Sequence, residues 1–153
     1  MKTLDALVAE SPVFAGLSQP YLELIAGCAQ NTGFEAGEYL FREGVQADTF
    51  YLLRHGRVKL EIQVAGRGAL TVETVDAGDV VGWSWLFPPY RWHFDARALD
   101  VVRAVAFDGA CLRGKCDQDH TLGYELLGRF SPVMLHRLQS TQMQLIDVYG
   151  GAA

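Results

Sequence analysis

Short strand-like segments separated by glycine run from about residue 32 to residue 107, and they constrain the fold more than any other feature of the chain. The clearest is "RVKLEIQV", residues 57–64, in which polar and apolar residues alternate strictly. That alternation predicts a strand with one buried face. The buried face would carry Val58, Leu60, Ile62 and Val64. Gly66 and Gly68 follow it and can supply the positive backbone angles of a tight hairpin turn.

Six further segments have the length and composition of strands: residues 39–41, 49–54, 70–75, 80–81, 94–98 and 101–107. Short strands with turn residues about every 8–12 positions are typical of an antiparallel sandwich or jelly roll. We therefore predict a mainly β core over residues 32–108, with helices at both ends.

The N-terminal residues 1–31 are predicted to be helical. Ser18 is a candidate N-cap for a helix whose apolar residues recur at i, i+3, i+4 and i+7. Those apolar residues are Leu22, Ile25, Ala26 and Ala29. The spacing predicts one amphipathic helix that packs on the β core.

The helical period returns after residue 107, and C-terminal helices are predicted over residues 117–149. Pro132 is expected to lie in the first turn of a new helix, where proline is tolerated. Apolar positions in that last helix are spaced 4, 3, 4 and 3, which suits a partner helix and predicts a homodimer. The predicted interface residues are Met134, Leu138, Thr141, Leu145 and Val148. Alternatively, the same face packs on the β core of its own chain.

Length and charge limit the classes of function. At 153 residues the chain is the size of one domain, so residues 1–153 are predicted to form a single unit. The net charge of -5 argues against a nucleic-acid surface, which needs clustered Lys and Arg. No apolar run approaches the roughly 20 residues of a membrane span, and no secretion signal is evident. We therefore predict a cytoplasmic protein without nucleic-acid or membrane partners.

The chain offers little for metal or catalytic chemistry. The three cysteines, Cys28, Cys111 and Cys116, are an odd number and are predicted to be free thiols. The four histidines, His55, His93, His120 and His136, are too scattered for a cupin-type metal site. Because no nucleophile stands at a recognisable spacing from a base, we predict neither an enzyme nor a metal site.

The run "FEAGEYLFREGVQADTFYLLRHGRVKLEI", followed by "VDAGDVVG", resembles the cyclic nucleotide-binding domain of the catabolite activator and fumarate-nitrate regulator superfamily. The resemblance implies an eight-stranded antiparallel jelly roll with N-terminal helices and a long C-terminal helix for dimerisation. In transcription factors of this family a winged helix-turn-helix follows that helix, whereas this chain stops at Ala153.

The resemblance also implies where a ligand would bind. In cyclic nucleotide-binding members, a Gly-Glu turn begins a short helix whose backbone N–H groups face the phosphate, and an Arg about eleven residues later pairs with it. Gly82 matches the glycine, but Trp83 stands at the position of the ribose-binding Glu. Trp92 or His93 stands at the Arg position, beside Arg91. The candidate ligand residues are Gly82, Trp83, Ser84, Trp85, Arg91 and His93, and Asp95 is a candidate partner of Arg91 or Arg97.

The aromatic stretch "GDVVGWSWLFPPYRWHFDARAL" therefore has three interpretations. Its rings fill the cavity as core, they line a site for a different flat or apolar ligand, or they form an exposed patch for a partner protein. We predict a non-enzymatic sensor or regulatory module with weak or no cyclic AMP or cyclic GMP binding and no certain cofactor. The ligand would be a cyclic nucleotide or another small molecule, and a regulated protein is a further candidate partner. The alternative is a ligand-free interaction module that uses the Trp-rich loop.

Overall fold

The computed structural model describes residues 3–150 and arranges its eight strands in two antiparallel sheets. The strands are β1 (Ala29–Phe34), β2 (Tyr39–Phe41), β3 (Thr49–His55), β4 (Val58–Val64), β5 (Gly68–Val75), β6 (Val80–Val81), β7 (Asp95–Ala98) and β8 (Val102–Asp108). One sheet has the order β1-β8-β3-β6 and the other β2-β7-β4-β5. Helices α1 (Leu4–Glu10) and α2 (Gln19–Ala26) precede the strands, and α3 (Gly109–Gln118) and α4 (His120–Gly150) follow them. The predicted jelly roll with flanking helices is confirmed.

The β4–β5 hairpin follows from the alternation in its sequence. Val58 and Leu60 are buried and the next two apolar residues of β4 are half-buried. A bulge between Leu60 and Glu61 shifts the register with β5. Gly66 and Gly68 both have positive φ in the turn, as the hairpin requires.

The first strand lies partly in the segment that we predicted to be helical. Helix α2 ends at Ala26, and β1 begins at Ala29 and pairs with β8, from Ala29 opposite Phe107 to Phe34 opposite Val102. The residues of β1 between Ala29 and Phe34 are mostly polar and lack an alternating apolar face. The backbone ladder with β8 therefore places this strand, and the predicted helical boundary at residue 31 is wrong.

The C-terminal helices also differ from the prediction. Helix α3 begins at Gly109, well before residue 117, and Asp108 caps it by accepting a hydrogen bond from the Cys111 backbone N–H at 2.9 Å. Helix α4 continues through Pro132, so the predicted new helix is wrong. The Ser131 hydroxyl donates to the Leu127 carbonyl next to the proline. Buried residues on the preceding turns anchor the helix to the core: Leu122, Leu126 and Phe130.

Two apolar clusters form the interior. The larger lies between the first sheet and the helices and contains Phe50, Trp85, Phe107 and Phe130. The smaller lies between the two sheets, around Leu53 and other aliphatic residues. The aromatic segment after β6 contacts both clusters. The candidate site therefore lies between the sheets and α4. Across residues 3–150, no helix has the length and apolar character needed to cross a lipid bilayer.

Candidate ligand-binding site

The turn after β6 needs a glycine at position 82. Gly82 has a φ of 97°, which is strained for residues with a side chain. A Cβ added there would stand 2.6 Å from Cη2 of Trp92. One turn of 3₁₀ helix, Ser84–Leu86, follows directly. The glycine is therefore explained by the close approach of an indole as well as by the turn.

Aromatic rings fill the space beside this turn. Trp92 is 5% exposed and stacks on Phe41, with ring centroids 3.7 Å apart and an interplanar angle of 8°. The remaining cavity measures about 30 Å³ and is bordered by Gly82, Ser84 and His93. Pockets for small-molecule ligands usually measure about 300–1,000 Å³, whereas a single water needs only about 10–15 Å³. We call this region the filled end of the site.

A larger groove lies on the other side of Trp83. Its volume is about 340 Å³, and it separates the outer part of β4 and β5 from α4. The lining is mostly apolar and includes Ile62, Val72, Trp83, Phe94, Met134 and Leu138. We call this region the open end. Its size and apolar walls are those of a small-molecule site.

One ion pair supplies charge to the open end. Arg137 is 8% exposed, and its Nε lies 3.3 Å from Oε2 of Glu73. Its Nη2 donates to the Val80 carbonyl at 2.6 Å, and its guanidinium lies 4.9 Å from the centroid of the Trp83 ring. Burial lowers the pKa of Arg137, an effect that the charge of Glu73 opposes. Burial also raises the pKa of Glu73 despite the charge of Arg137. A charged pair made of a buried arginine and a half-buried glutamate thus lines the groove.

Two of the predicted ligand residues lie away from both ends. Trp85 is fully buried and stacks on Phe50, with centroids 4.7 Å apart. Arg91 is exposed, and its Nη1 donates to the Gly44 carbonyl at 2.9 Å. The other four predicted residues border the filled end: Gly82, Trp83, Ser84 and His93. Trp83 also lines the open end.

Asp95 pairs with neither of the arginines considered from the sequence. It accepts hydrogen bonds from the Glu43 backbone N–H at 2.7 Å, from Gln63 at 3.3 Å and from Arg42 Nε at 3.3 Å. Burial opposes the ionisation of Asp95, but these hydrogen bonds and the charge of Arg42 outweigh it and hold its pKa below the usual range. Asp95 therefore joins β7 to the segment after β2.

The third interpretation of the aromatic stretch, an exposed patch of tryptophans, is wrong. Trp85 and Trp92 are buried and Trp83 is half-buried. Packing explains the difference, because each indole has a ring or guanidinium partner within the chain. The apolar surface that the loop does present comes from Phe87, which is 41% exposed, and from Pro88 and Pro89, whereas Tyr90 lies under the Arg113 guanidinium at 4.1 Å.

The predicted interface residues of α4 fall into two groups. Met134 is half-buried against the chain's own core, and it lines the open end together with Leu138 and Thr141. Leu145 and Val148 are 51% and 67% exposed, and all of residues 141–150 are exposed. Of the predicted interface residues, only Met134 thus packs on its own β-roll. Leu138, at 54% exposed, and Thr141 face solvent like Leu145 and Val148, although both also border the groove.

Sequence reasoning missed Arg137 and Phe41. Arg137 lies three residues after Met134 and one before Leu138, on the helix face that packs inward, so a charged residue on an apolar face was the available indication. Phe41 gives no such indication, since its stacking on Trp92 joins segments far apart in the chain.

Comparisons with known proteins place the fold of this chain in a family. The family model for the cyclic nucleotide-binding domain matches residues 32–119. A CRP-like cAMP-activated global transcriptional regulator of Mycobacterium tuberculosis is 24% identical over 145 residues, covering 95% of this chain and 63% of the relative. This chain therefore spans less than two thirds of that regulator.

Two solved structures share the fold. A candidate cyclic nucleotide-binding protein from Geobacter metallireducens GS-15 is 32% identical, with a TM-score of 0.80 over 90% of this chain and 99% of the other. The regulatory subunit of a cAMP-independent protein kinase A from Trypanosoma cruzi, bound to guanosine, is 19% identical, with a TM-score of 0.68 over 95% of this chain and 49% of the other. The matching model and the likeness to the Geobacter metallireducens protein show that the chain belongs to the cyclic nucleotide-binding domain family.

Proposed function

We propose that this domain is a regulatory sensor whose ligand is a small, flat, mostly apolar molecule and not cyclic AMP or cyclic GMP. The observation that carries the proposal is the contrast between the filled end, at about 30 Å³, and the open end, at about 340 Å³. The first is too small for a sugar phosphate, and the second has the volume and walls of a ligand site.

The filled end supports weak binding of cyclic nucleotides. The stacked Trp92 and Phe41 rings occupy the space next to Gly82, where the family resemblance implies the phosphate. Arg91 is engaged with the Gly44 carbonyl on the surface. A phosphate in the filled end would have to displace a buried indole. Arg137 also borders this cavity, but its guanidinium is already engaged with the Val80 carbonyl and Glu73, so a charged hydrogen bond to the phosphate, worth about 1.5–3 kcal/mol, would require it to leave those partners.

The open end supports a ligand that carries one acceptor group. Arg137 keeps one nitrogen, Nη2, on the Val80 carbonyl and another, Nε, near Glu73. An anionic or acceptor group that replaces Glu73 at the guanidinium would gain a charge-assisted hydrogen bond in an apolar setting. The flat body of the ligand would lie between Trp83 and the apolar residues of α4. The guanosine-bound subunit from Trypanosoma cruzi also holds a ligand without a cyclic phosphate.

Thermal unfolding of the purified chain tests this function with four compounds: cyclic AMP, cyclic GMP, guanosine and the flat aromatic anion anilinonaphthalene sulfonate. A ligand at a hundred times its Kd should add about 2.7 kcal/mol, which raises Tm by about 5–10 °C. We expect such a shift with anilinonaphthalene sulfonate, which has apolar rings and one anionic group, while guanosine tests whether a more polar nucleoside without a phosphate also binds. A shift of that size with micromolar cyclic AMP or cyclic GMP would overturn the proposal.

A matched pair of variants locates the binding. Thr141 lines the open end, so Thr141→Trp should fill the groove and abolish the shift. Gln139 is exposed on the same helix, and Gln139→Trp adds the same ring outside the groove. Binding that survives Thr141→Trp would place the ligand elsewhere.

We further propose that α4 forms a homodimer through its second half. The 4, 3, 4, 3 spacing of apolar residues and the exposure of Leu145 and Val148 support a second copy of this helix as the partner. Because Leu138 and Thr141 belong to that face and also line the open end, dimerisation would bring the partner helix beside the ligand groove. The sensor would thereby couple ligand binding to the arrangement of the two helices.

A further inference from the structure

Two cysteines that are 83 residues apart in the chain meet at one end of the β-roll. Cys28 immediately precedes β1, and Cys111 lies in the first turn of α3. The Cys28 thiol donates to the Cys111 sulfur, and the two Sγ atoms are 3.0 Å apart. Since a disulfide bond measures about 2.05 Å, an approach of about 1 Å would join them.

The backbones that carry the two thiols are held together. The Cys28 carbonyl accepts a hydrogen bond from the Asp108 N–H at 2.8 Å. On the other side, the Cys111 N–H donates to Oδ1 of Asp108 at 2.9 Å. One residue therefore fixes both segments, and the sulfur contact follows from a rigid junction between β1, β8 and α3.

Small reagents can reach the pair. Both cysteines are half-buried, and both border an open cleft of about 590 Å³. Gln30, Asp48, Thr49 and Asp108 line the rest of its polar wall. The cleft lies away from the groove beside α4, because the two share no lining residue.

We propose that Cys28 and Cys111 form an oxidation site, in which a hydroperoxide converts the two thiols to an intramolecular disulfide. The assignment is independent of the ligand proposed above. Neither the spacing of Cys111 and Cys116 nor the family resemblance points to this pair; the sulfur contact and the adjoining cleft carry it.

Cys111 is the thiol that reacts first. Burial and the hydrogen bond to Cys111 raise the pKa of Cys28 to about 12, so Cys28 stays protonated and donates its hydrogen to the Cys111 sulfur. The Cys111 thiolate attacks one peroxide oxygen, the O–O bond breaks, and an alcohol or water leaves with the proton that Cys111 lost. Cys111 is then a sulfenic acid, and the peroxide has been reduced by two electrons.

Cys28 resolves this intermediate. Its sulfur attacks the Cys111 sulfur, the S–O bond breaks, and the leaving hydroxide takes the Cys28 proton as water. Two thiols and one hydroperoxide thus yield one disulfide, one alcohol and one water. Thiol reductants reverse the reaction by exchange.

The disulfide would tie the N-terminal helices to the aromatic turn. Arg113 on α3 donates to the Trp85 carbonyl at 2.8 Å, and its Nη2 lies 3.0 Å from Oδ1 of Asp48. A covalent bond at the start of α3 would therefore fix the helix that holds this turn. The loop it closes is long, so oxidation should raise Tm by about 5–15 °C.

Peptide mapping of the full chain tests the proposal. The reduced protein is treated with hydrogen peroxide, blocked with N-ethylmaleimide and digested with trypsin without reductant. Trypsin separates the three cysteines into peptides 3–42, 104–113 and 116–129. The expected product joins peptides 3–42 and 104–113, weighs two hydrogen atoms less than their sum, and comes from a chain of unchanged size on a non-reducing gel.

Three variants complete the test. Cys116→Ser is the matched control and should form the same linked peptides, since Cys116 lies outside the pair. Cys28→Ser should lose the link and accumulate a dimedone-reactive sulfenic acid on Cys111, and Cys111→Ser should lose both products. A link that uses Cys116, a link between chains, or persistence of both free thiols under peroxide would overturn the proposal.

Discussion

The two ends of the candidate site have opposite character although they share four lining residues: Leu60, Trp83, Phe94 and Arg137. At the filled end, Trp92 and Phe41 stack within van der Waals distance and leave about 30 Å³. At the open end, the walls stand apart around about 340 Å³, and a buried Arg137 faces Glu73 across the groove. On the function proposed above, this chain keeps the glycine turn of its family, and aromatic rings stand where the resemblance implies charged contacts to a ligand. The usable volume then lies against α4.

The largest expected effect is on the free energy of unfolding, and it compares a tryptophan of the filled end with one beside the open end. Trp92→Ala should lower the free energy of unfolding by about 3–5 kcal/mol, because it empties a buried, stacked position. Trp83→Ala removes a half-buried ring beside an existing groove, and should cost about 1–2 kcal/mol. Urea unfolding followed by far-UV circular dichroism measures both losses. Equal losses would contradict the distinction between the two ends.

The next effect concerns the charge at the open end. Arg137→Met should destabilise the fold by about 2 kcal/mol, since Glu73 loses its partner and the Val80 carbonyl its donor. The affinity for anilinonaphthalene sulfonate should fall about tenfold or more. Arg91→Met is the matched control, because Arg91 is exposed, and should change stability by less than about 0.5 kcal/mol. Titration by fluorescence would contradict the assignment if both variants bound equally.

A third effect tests whether a second copy borders the open end. Leu145→Asp places a charge on the exposed apolar face of α4 and should raise the dimer Kd about tenfold. Monomer stability should change by less than about 0.5 kcal/mol, as Leu145 is 51% exposed. Gln139→Asp adds the same charge to the outer face and should leave the dimer intact. Sedimentation velocity at micromolar concentration measures both, and a monomeric wild type would refute the dimer.

The smallest effect lies on the flank of the filled end. The folded pKa of Asp95 is below its unfolded value of about 3.9, so its charged form stabilises the fold above that pH. This contribution is lost as pH falls through the folded pKa. Asp95→Asn should therefore cost about 1 kcal/mol at pH 7 and approach the wild type in acid. Unfolding curves at a series of pH values measure the convergence, and parallel curves would contradict it.

Local patterns account for what the sequence predicted of the fold. Short apolar segments separated by glycine placed β2 and β6 at their observed bounds, and strict alternation placed β4 within one residue of its observed start. Strand β1 lacks that alternation and is held by its ladder with β8. Pro132 was predicted to start a helix because proline is tolerated in a first turn. The packing of Phe130 and its buried neighbours keeps α4 continuous instead.

Less of the site than of the fold could be predicted from the sequence, because its contacts join residues that are far apart in the chain. Gly82 was predicted from the family resemblance, which places a glycine at this turn. The role of Arg137 depends on Glu73 from β5 and Val80 from β6, and the cysteine contact joins β1 to α3. Arg91 was a reasonable candidate by position, but the backbone bridge between Gln46 and Arg91 and the Gly44 carbonyl hold it at the surface.

Helix α4 runs without a break through Pro132, so a small change of its direction there moves the far end of the helix by a larger distance. Proline lacks an N–H, so the Gly128 carbonyl loses its helical bond to position 132 and the rod is least stiff there. The part of α4 from Pro132 to Gly150 spans about 27 Å at about 1.5 Å per residue, so a tilt of about 10° at this pivot moves the tip by about 5 Å. Arg137 lies shortly after Pro132. A molecule that binds Arg137 would therefore push on α4 close to the pivot, and most of the moving part of the helix lies beyond that point.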